Sequence, residues 1–409
     1  MDRDEAAALD VADPLAPARG AFRIPEGVVY LNGNSLGALQ PAVEERLRRV
    51  VTDEWGTGLK RSWNDAGWAH LPQRVAARIA PLVGAEPHEI AVTDSTSVDL
   101  FKAVVAARRL RPDRRVILTD ERNFPSDRYV LAGIAELLPG TEVVAVAADE
   151  VEARLGDDVA VVTLTHVDYR SGRMHDAARL TAAAHDAGAV VVWDLSHSTG
   201  AVHVDLADWH VDLAVGCTYK YLNGGPGSPA YLYAAERHHD TLRSPVAGWF
   251  GHADPFAFGP EYTPAAGADR FLAGTPPILS LAALDAALEV WEDVDLAAVP
   301  HRTRALTSLF VELVDARLAG YGVTLESPRA AELRGAHVTI GFGGAGPLSR
   351  AATAAGVIGD VRPPDLLRFG FSPLYVRHVD VWDAVEVLHD LLADGSWDEP
   401  RFRATETVS

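Results

Sequence analysis

Sulfur is scarce in this chain, with one cysteine and two methionines in 409 residues. A single cysteine excludes an intramolecular disulfide framework and fits a reducing compartment. Basic residues are also few, 37 against 57 acidic ones, for a formal net charge of -20. Nucleic acid and anionic membrane surfaces both need a positive face, so neither is expected as a partner. No apolar run reaches the length of a membrane span. The opening Met1-Asp2-Arg3-Asp4-Glu5 is acidic, unlike a secretory leader. None of the 15 histidines falls in a zinc-binding spacing, and no metal is expected. No internal repeat or long low-complexity tract is seen. The whole chain is 48% hydrophobic and 23% charged, and its 409 residues are enough for two domains and a sizeable core. The protein is expected in the cytoplasm.

From residue 90 onward, short apolar runs alternate with helical stretches. Strands are predicted over 90–93, 116–119, 142–147, 159–164 and 229–233, besides the two runs that end near Asp194 and Lys220. Helices are predicted over 98–110 and 177–187, the second capped by Asp176 and stopped by Gly188. This alternation predicts a wound, mostly parallel α/β sheet. Ahead of it come a short helix, a proline-broken arm, a strand at 28–31, a turn at 32–37 and a helix after Pro41. Beyond Pro276-Pro277 a helix over 278–291 is expected to be interrupted at Pro300, with a second over 303–318. A strand at 337–340, a helix near 347–355, a strand at 365–371 and a helix over 384–392 follow. The division is thus 1–59, an arm and helix joining the small domain; 60–294, a large domain; and 295–409, a small α+β domain. The tail over 401–409 is expected to be loose.

Two stretches organise the chemistry. Ala189-Val190-Val191-Val192-Trp193-Asp194 is an apolar run ending in a carboxylate, with His197 three residues on. A parallel strand buried on both faces reads this way. Asp212-Leu213-Ala214-Val215-Gly216-Cys217-Thr218-Tyr219-Lys220 is a second such run, followed by a glycine-rich loop. Ligands in open α/β sheets bind outside the carboxyl ends of the strands, so Asp194 and Lys220 share that edge. A lysine beside low-dielectric protein is a better nucleophile toward carbonyls. Pyridoxal 5'-phosphate needs this pair, an amine for its aldehyde and a carboxylate to keep its ring nitrogen protonated. Taken singly, Lys220 reads as a surface lysine and His197 as a core histidine.

Other candidates gain meaning beside that pair. Asp94-Ser95-Thr96-Ser97 opens a helix, where hydroxyls and free N–H groups bind phosphate; alone it is an ordinary cap. In Asn123-Phe124-Pro125-Ser126-Asp127, Phe124 is placed to stack on a pyridine ring and Asp127 to bond a ring substituent; alone it is a turn after a strand. Arg368, amid apolar residues, suits either the α-carboxylate of an amino acid or a structural ion pair. Trp55, Trp63 and Trp68 crowd one stretch, as a flat-ring pocket or as core anchors.

The chain resembles the kynureninase family, pyridoxal-phosphate enzymes of the aspartate aminotransferase fold, along nearly its whole length. Leu31-Asn32-Gly33-Asn34-Ser35-Leu36-Gly37, Thr218-Tyr219-Lys220-Tyr221-Leu222-Asn223 and Gly248-Trp249-Phe250-Gly251-His252 carry the resemblance. It implies fold type I, a mostly parallel seven-stranded sheet plus a smaller α+β domain. It implies hydrolysis of the Cβ–Cγ bond of L-kynurenine, with 3-hydroxy-L-kynurenine as a second candidate substrate, to anthranilate and L-alanine in tryptophan catabolism. Lys220 would bind the cofactor covalently and Asp194 its ring nitrogen, beside His197. Thr96, Ser97 and Tyr219 would hold the phosphate, with Tyr219 also a proton relay, and Phe124 would cover the ring. Thr165, and more weakly Ser171, would lie near the cofactor. Family members are homodimers with the site at the interface, so Trp249 and Thr275 would reach the partner's phosphate. Arg368 would take the substrate carboxylate, and Ser35 and Trp63 would approach the aryl ketone. Animal members have asparagine where this chain has Thr275; the threonine resembles the bacterial type, which favours kynurenine. Asp99 stands where asparagine is common. The rival readings are an aminotransferase or a cysteine desulfurase of the same fold. A desulfurase needs an accessible thiol, whereas Cys217 falls in a predicted strand.

Overall fold

The computed structural model describes residues 1–403. The expected loose tail falls mostly beyond 403, outside the described residues. A seven-stranded sheet forms the centre, in the order Ile90–Thr93, Ala230–Ala234, Leu213–Gly216, Val190–Asp194, Val159–Thr165, Val116–Asp120, Glu142–Val146. Neighbours from Leu213–Gly216 to Glu142–Val146 run parallel, and Ala230–Ala234 is antiparallel to both its neighbours. This is the mostly parallel α/β architecture that the sequence predicts. Valine supplies much of the inner strands, because a branched side chain packs well on a pleated surface covered on both faces.

Crossing helices keep their sequence signals. Asp176 caps Ala177–Asp186 by accepting from the Arg179 N–H at 3.0 Å. Pro125 opens Pro125–Leu137 at the position where no helical N–H is needed. Trp193 is fully buried in its strand, and its indole N–H donates to Thr181 Oγ1 at 3.0 Å on the covering helix.

A second sheet, ordered Asp360–Arg362, Leu366–Gly370, His337–Gly341, Thr324–Leu325, is antiparallel throughout. The Ala298–Arg317 helix packs on the His337–Gly341 strand and on the His378–Asp394 helix. The sequence predicts an interruption at Pro300, but Pro300 interrupts no helix. It lies in the first turn of Ala298–Arg317, where its missing N–H has no cost, and the break comes earlier, after Asp293. The last helix begins at His378 rather than 384. Its free amides are capped from the other end of the chain: Asp10 accepts from His378 N at 2.7 Å and Val379 N at 3.0 Å. Asp10, Asp13 and His378 cluster there, with Asp13 paired to Arg302.

The Val29–Tyr30 strand pairs with Val357–Ile358, and Asn32 bridges to Gly370. The turn at 32–37 is thereby held against the small sheet. No helix among the described residues is long and apolar enough to cross a membrane.

Candidate active site

Lys220 lies four residues past the Leu213–Gly216 strand, half-buried in the turn that leaves the sheet. Its Nζ is 3.2 Å from His197 Nε2. Burial, and then the nearby Lys220 charge, hold the His197 imidazole well below its usual pKa. A neutral imidazole can accept from the amine, so His197 orients Lys220. The turn at 32–37 closes over the same backbone: Gly37 N donates to Tyr219 O at 2.8 Å. A Cβ at Gly37 would run into the Lys220 carbonyl and Asn223, so only glycine allows this approach. Ser35 is half-buried in that turn.

Asp194 ends its strand, in register with Thr165 on the neighbouring one. It is 4% exposed and accepts from Ser196 N at 2.7 Å. Among the described residues it has no ion-pair partner. Asp127 lies beside it, and burial and then the Asp194 charge push the Asp127 carboxyl well above the ordinary range. The Thr165 hydroxyl donates to Asn123 Oδ1 and stands 3.4 Å from Asp127. Asn123 also accepts from Phe124 N at 2.8 Å and donates to Thr119 at 3.1 Å. The sequence reading names Asn123 within its motif but gives this buried organiser no role. Its signal was an asparagine just past a strand, ahead of a proline-opened helix. Phe124 is 37% exposed, with Tyr169 edge-on to it at 5.0 Å.

The Thr96–Arg109 helix starts without a side-chain cap at Ser95, so its first N–H groups stay free, with Ser97 exposed beside them. Beneath, the fully buried Lys102 pairs with Asp94 and donates to Phe271 O at 2.7 Å. Burial pushes the Tyr219 phenol up, so it stays protonated and can only donate to an anion. These groups fit pyridoxal phosphate on their own terms. A buried carboxylate without a cation suits a protonated ring nitrogen. An uncapped helix start suits a phosphate, and an exposed aromatic face suits a flat ring.

Arg368 is 1% exposed and already holds a carboxylate, donating to Asp360 through Nε at 2.9 Å and Nη2 at 2.5 Å. Nη1 donates to Tyr169 O at 2.6 Å. With its amide turned to satisfy both groups, Asn34 accepts from Arg368 Nε at 2.8 Å. The structural ion pair that the sequence left open is therefore formed. Asp360 and Tyr169 are further residues that the sequence reading missed, and Asn34, named there within its motif, was given no role. Ser171 bonds Asp168 at 2.6 Å within its own turn.

Trp63, Trp249 and Thr275 gather elsewhere. Phe250 N donates to Ala273 O at 3.1 Å, which joins the Trp249 and Thr275 segments. Trp249 and Trp63 both pack on Phe250, with centroids at 5.0 and 6.4 Å. Trp55 is exposed, and Trp68 is buried with its indole on Glu54 at 2.7 Å. Thr275 is exposed. No hydrogen bond among the described residues ties this group to Lys220. Cys217 is buried.

The family model of the kynureninase C-terminal domain matches residues 299–388. A protein named kynureninase from Pseudomonas fluorescens is 45% identical over 413 aligned residues, covering 100% of this chain and 99% of that protein. Among solved structures, the apo cysteine desulfurase of Thermococcus onnurineus NA1 superposes with a TM-score of 0.78 at 20% identity, covering 92% of this chain and 98% of that one. A mutant of C-DES, with glycine covalently linked to its PLP cofactor, gives 0.78 at 16% identity, covering 90% and 98%. At such identities these likenesses bear on the fold, which is that of fold-type-I pyridoxal-phosphate enzymes.

Proposed function

The chain belongs to the kynureninase family, and from that premise we propose that the residues around Lys220 divide its reaction among them as follows. The activity is pyridoxal-phosphate-dependent hydrolysis of L-kynurenine at Cβ–Cγ, giving anthranilate and L-alanine. An aminotransferase or desulfurase reading is not favoured, and the burial of Cys217 speaks against an accessible thiol nucleophile.

Lys220 holds the cofactor, and Asp194 keeps its ring nitrogen protonated. Thr96 and Ser97, with the free N–H groups at their helix start, hold the phosphate, and Tyr219 donates to it. Phe124 covers the ring face, and Asp127 and Thr165 line the ring edge, with His197 between Lys220 and the small sheet. When bound, the cofactor supplies a cationic ring that withdraws electrons from the substrate's α-carbon. Lys220 would serve as the general base that takes the α-proton of the bound substrate, and the hydrolysis consumes one water, which adds to the aryl ketone. Tyr219, protonated and next to Lys220, passes the proton on. Arg368 anchors the α-carboxylate from the Nη1 side, which Asp360 does not engage and which also donates to the Tyr169 carbonyl. The observation that carries this reading is a buried Asp194, without an ion-pair partner among the described residues, on the same sheet edge as an amine held by His197.

Trp249 and the Thr275 segment are joined to each other, and no hydrogen bond among the described residues ties them to Lys220, which is compatible with a homodimer in which they complete the partner's site. Trp249 and Thr275 then reach the partner's phosphate, Ser35 and Trp63 face the aryl ketone, and kynurenine is preferred to its 3-hydroxy form. The division 1–59, 60–294 and 295–409 and a cytoplasmic location belong to the same reading. The test is release of anthranilate, followed by its blue fluorescence, from each of the two substrates. Absence of anthranilate from cofactor-loaded protein overturns it, and faster turnover of the 3-hydroxy form overturns the preference.

A further inference from the structure

The small sheet has one apolar and one polar face. Asp360 is the register partner of Arg368, which in turn is the partner of Thr339. Residues two apart on a strand, and register partners, share a face. Asp360, Arg362, Arg368, Thr339 and His337 therefore lie on one side, and Val338, Ile340, Leu367 and Phe369 fill the core on the other. The polar side is turned to the Lys220 site. Its His337, Arg368 and Thr339 donate in turn to three successive carbonyls, those of Asp168, Tyr169 and Arg170. The His337 ring also lies 5.4 Å from that of His197.

Charge on this face does not balance. Asp360, 2% exposed, accepts from both Arg368 and Arg362, the latter through Nη2 at 3.0 Å. Two guanidinium groups thus share one carboxylate. Arg368 is enclosed, whereas the Arg362 side chain is 28% exposed. Its Nε is buried without a partner, and its Nη1 has only a 3.4 Å approach to the adjacent Val361 carbonyl. A buried unpaired donor is costly unless something arrives to satisfy it. One more carboxylate would bring the cluster to two cations and two anions.

We propose that Arg362 is a second binding residue for the α-carboxylate of the amino-acid substrate, acting beside Arg368 with Asp360 shared between them. This rests on the kynureninase reading of the Lys220 site, which the wild-type anthranilate assay tests separately. Arg362→Gln removes the charge, and Arg362→Lys keeps it while losing the planar fork. The probes are L-alanine, which carries the carboxylate, and ethylamine, which lacks it. Both are titrated into cofactor-loaded protein and followed by the visible spectrum. Arg362→Gln is expected to weaken L-alanine about tenfold or more and leave ethylamine unchanged, as for loss of a charge-assisted hydrogen bond. KM for L-kynurenine should rise in step while kcat changes little, and Arg362→Lys should fall between. Where the glutamine variant does not fold, the ratio of L-alanine to ethylamine affinity in the lysine variant decides. An equal shift for both probes, or none for L-alanine, overturns the proposal.

Discussion

Asp127 and Asp194 meet at the floor of the site, two buried carboxyl groups in hydrogen-bonding reach of each other, with the Lys220 charge near enough to offset only part of their repulsion. Burial first, and then the Asp194 charge, push the Asp127 carboxyl well above the ordinary range, because two like charges this close do not both ionise cheaply. Because its folded pKa lies above the unfolded value, its contribution is intact below the ordinary carboxylate range and is lost as pH rises through the folded pKa. Asp127→Asn should therefore stabilise the cofactor-free protein at neutral pH, by on the order of 1 kcal/mol. It should also weaken cofactor binding, since the amide cannot take on charge with the ring. Urea midpoints of wild type and variant at pH 5 and pH 8 check this. A variant no more stable at pH 8 than wild type would remove the argument.

Asp212 acts in the opposite sense at the far end of the same strands. Burial alone would raise its pKa, but hydrogen bonds from His185, His238 and the Val191 N–H outweigh burial, and the net shift is downward. Arg237 completes the cluster at 2.7 Å. A depressed carboxylate stabilises the fold above the unfolded pKa, and that stability is lost as pH falls through the folded one. Asp212→Ala leaves Arg237 and the two imidazoles without their shared acceptor, at a cost of about 3–5 kcal/mol. The melting temperature should fall while kcat per folded molecule holds. A loss of kcat at a temperature where the variant is folded would show that this cluster belongs to the site after all.

Gly37 tests the fit between the turn at 32–37 and the Lys220 backbone. Gly37→Ala must push a methyl into the Lys220 carbonyl, for which overpacking costs about 1–3 kcal/mol. Since that carbonyl belongs to the reacting lysine, kcat/KM should drop about tenfold. Gly20, with nothing within 4 Å of an added Cβ, is the control whose alanine variant should behave as wild type. Equal behaviour of the two variants would mean that the turn does not position Lys220.

What the sequence made legible was local. Apolar runs ending in Asp194 and Lys220 announce buried strands with chemistry at their ends, and the Asp176 cap and Gly188 stop lie within a few residues of the helix that they bound. What it hid was satisfied at long range. Asp10 caps a helix that begins at His378, which no local signal at 378 reveals. Asp360 pairs with Arg368 across a strand too short to show a period, Asp360–Arg362. Arg368 in the sequence is an arginine lacking a partner, and only the register of two strands shows that it has one and that Arg362 competes for it.

The two-cluster layout leads to a complementation experiment. Lys220→Ala removes the amine on one side of the site, and Trp249→Ala removes a group of the cluster that includes Thr275. If each site draws Lys220 from one subunit and Trp249 from the other, neither variant alone turns over kynurenine at a useful rate. Mixed and co-refolded, the two chains pair at random, and about half of the dimers are hybrids. In every hybrid one site contains both defects and the other contains neither. Roughly a quarter of wild-type activity should return, by the same random-pairing count. Loss of a tryptophan that acts only within its own chain gives no such recovery, because every Lys220-bearing subunit then carries the Trp249 defect. Activity in the mixture no higher than in the separate variants would place Trp249 and Thr275 in their own subunit's structure rather than in the partner's site.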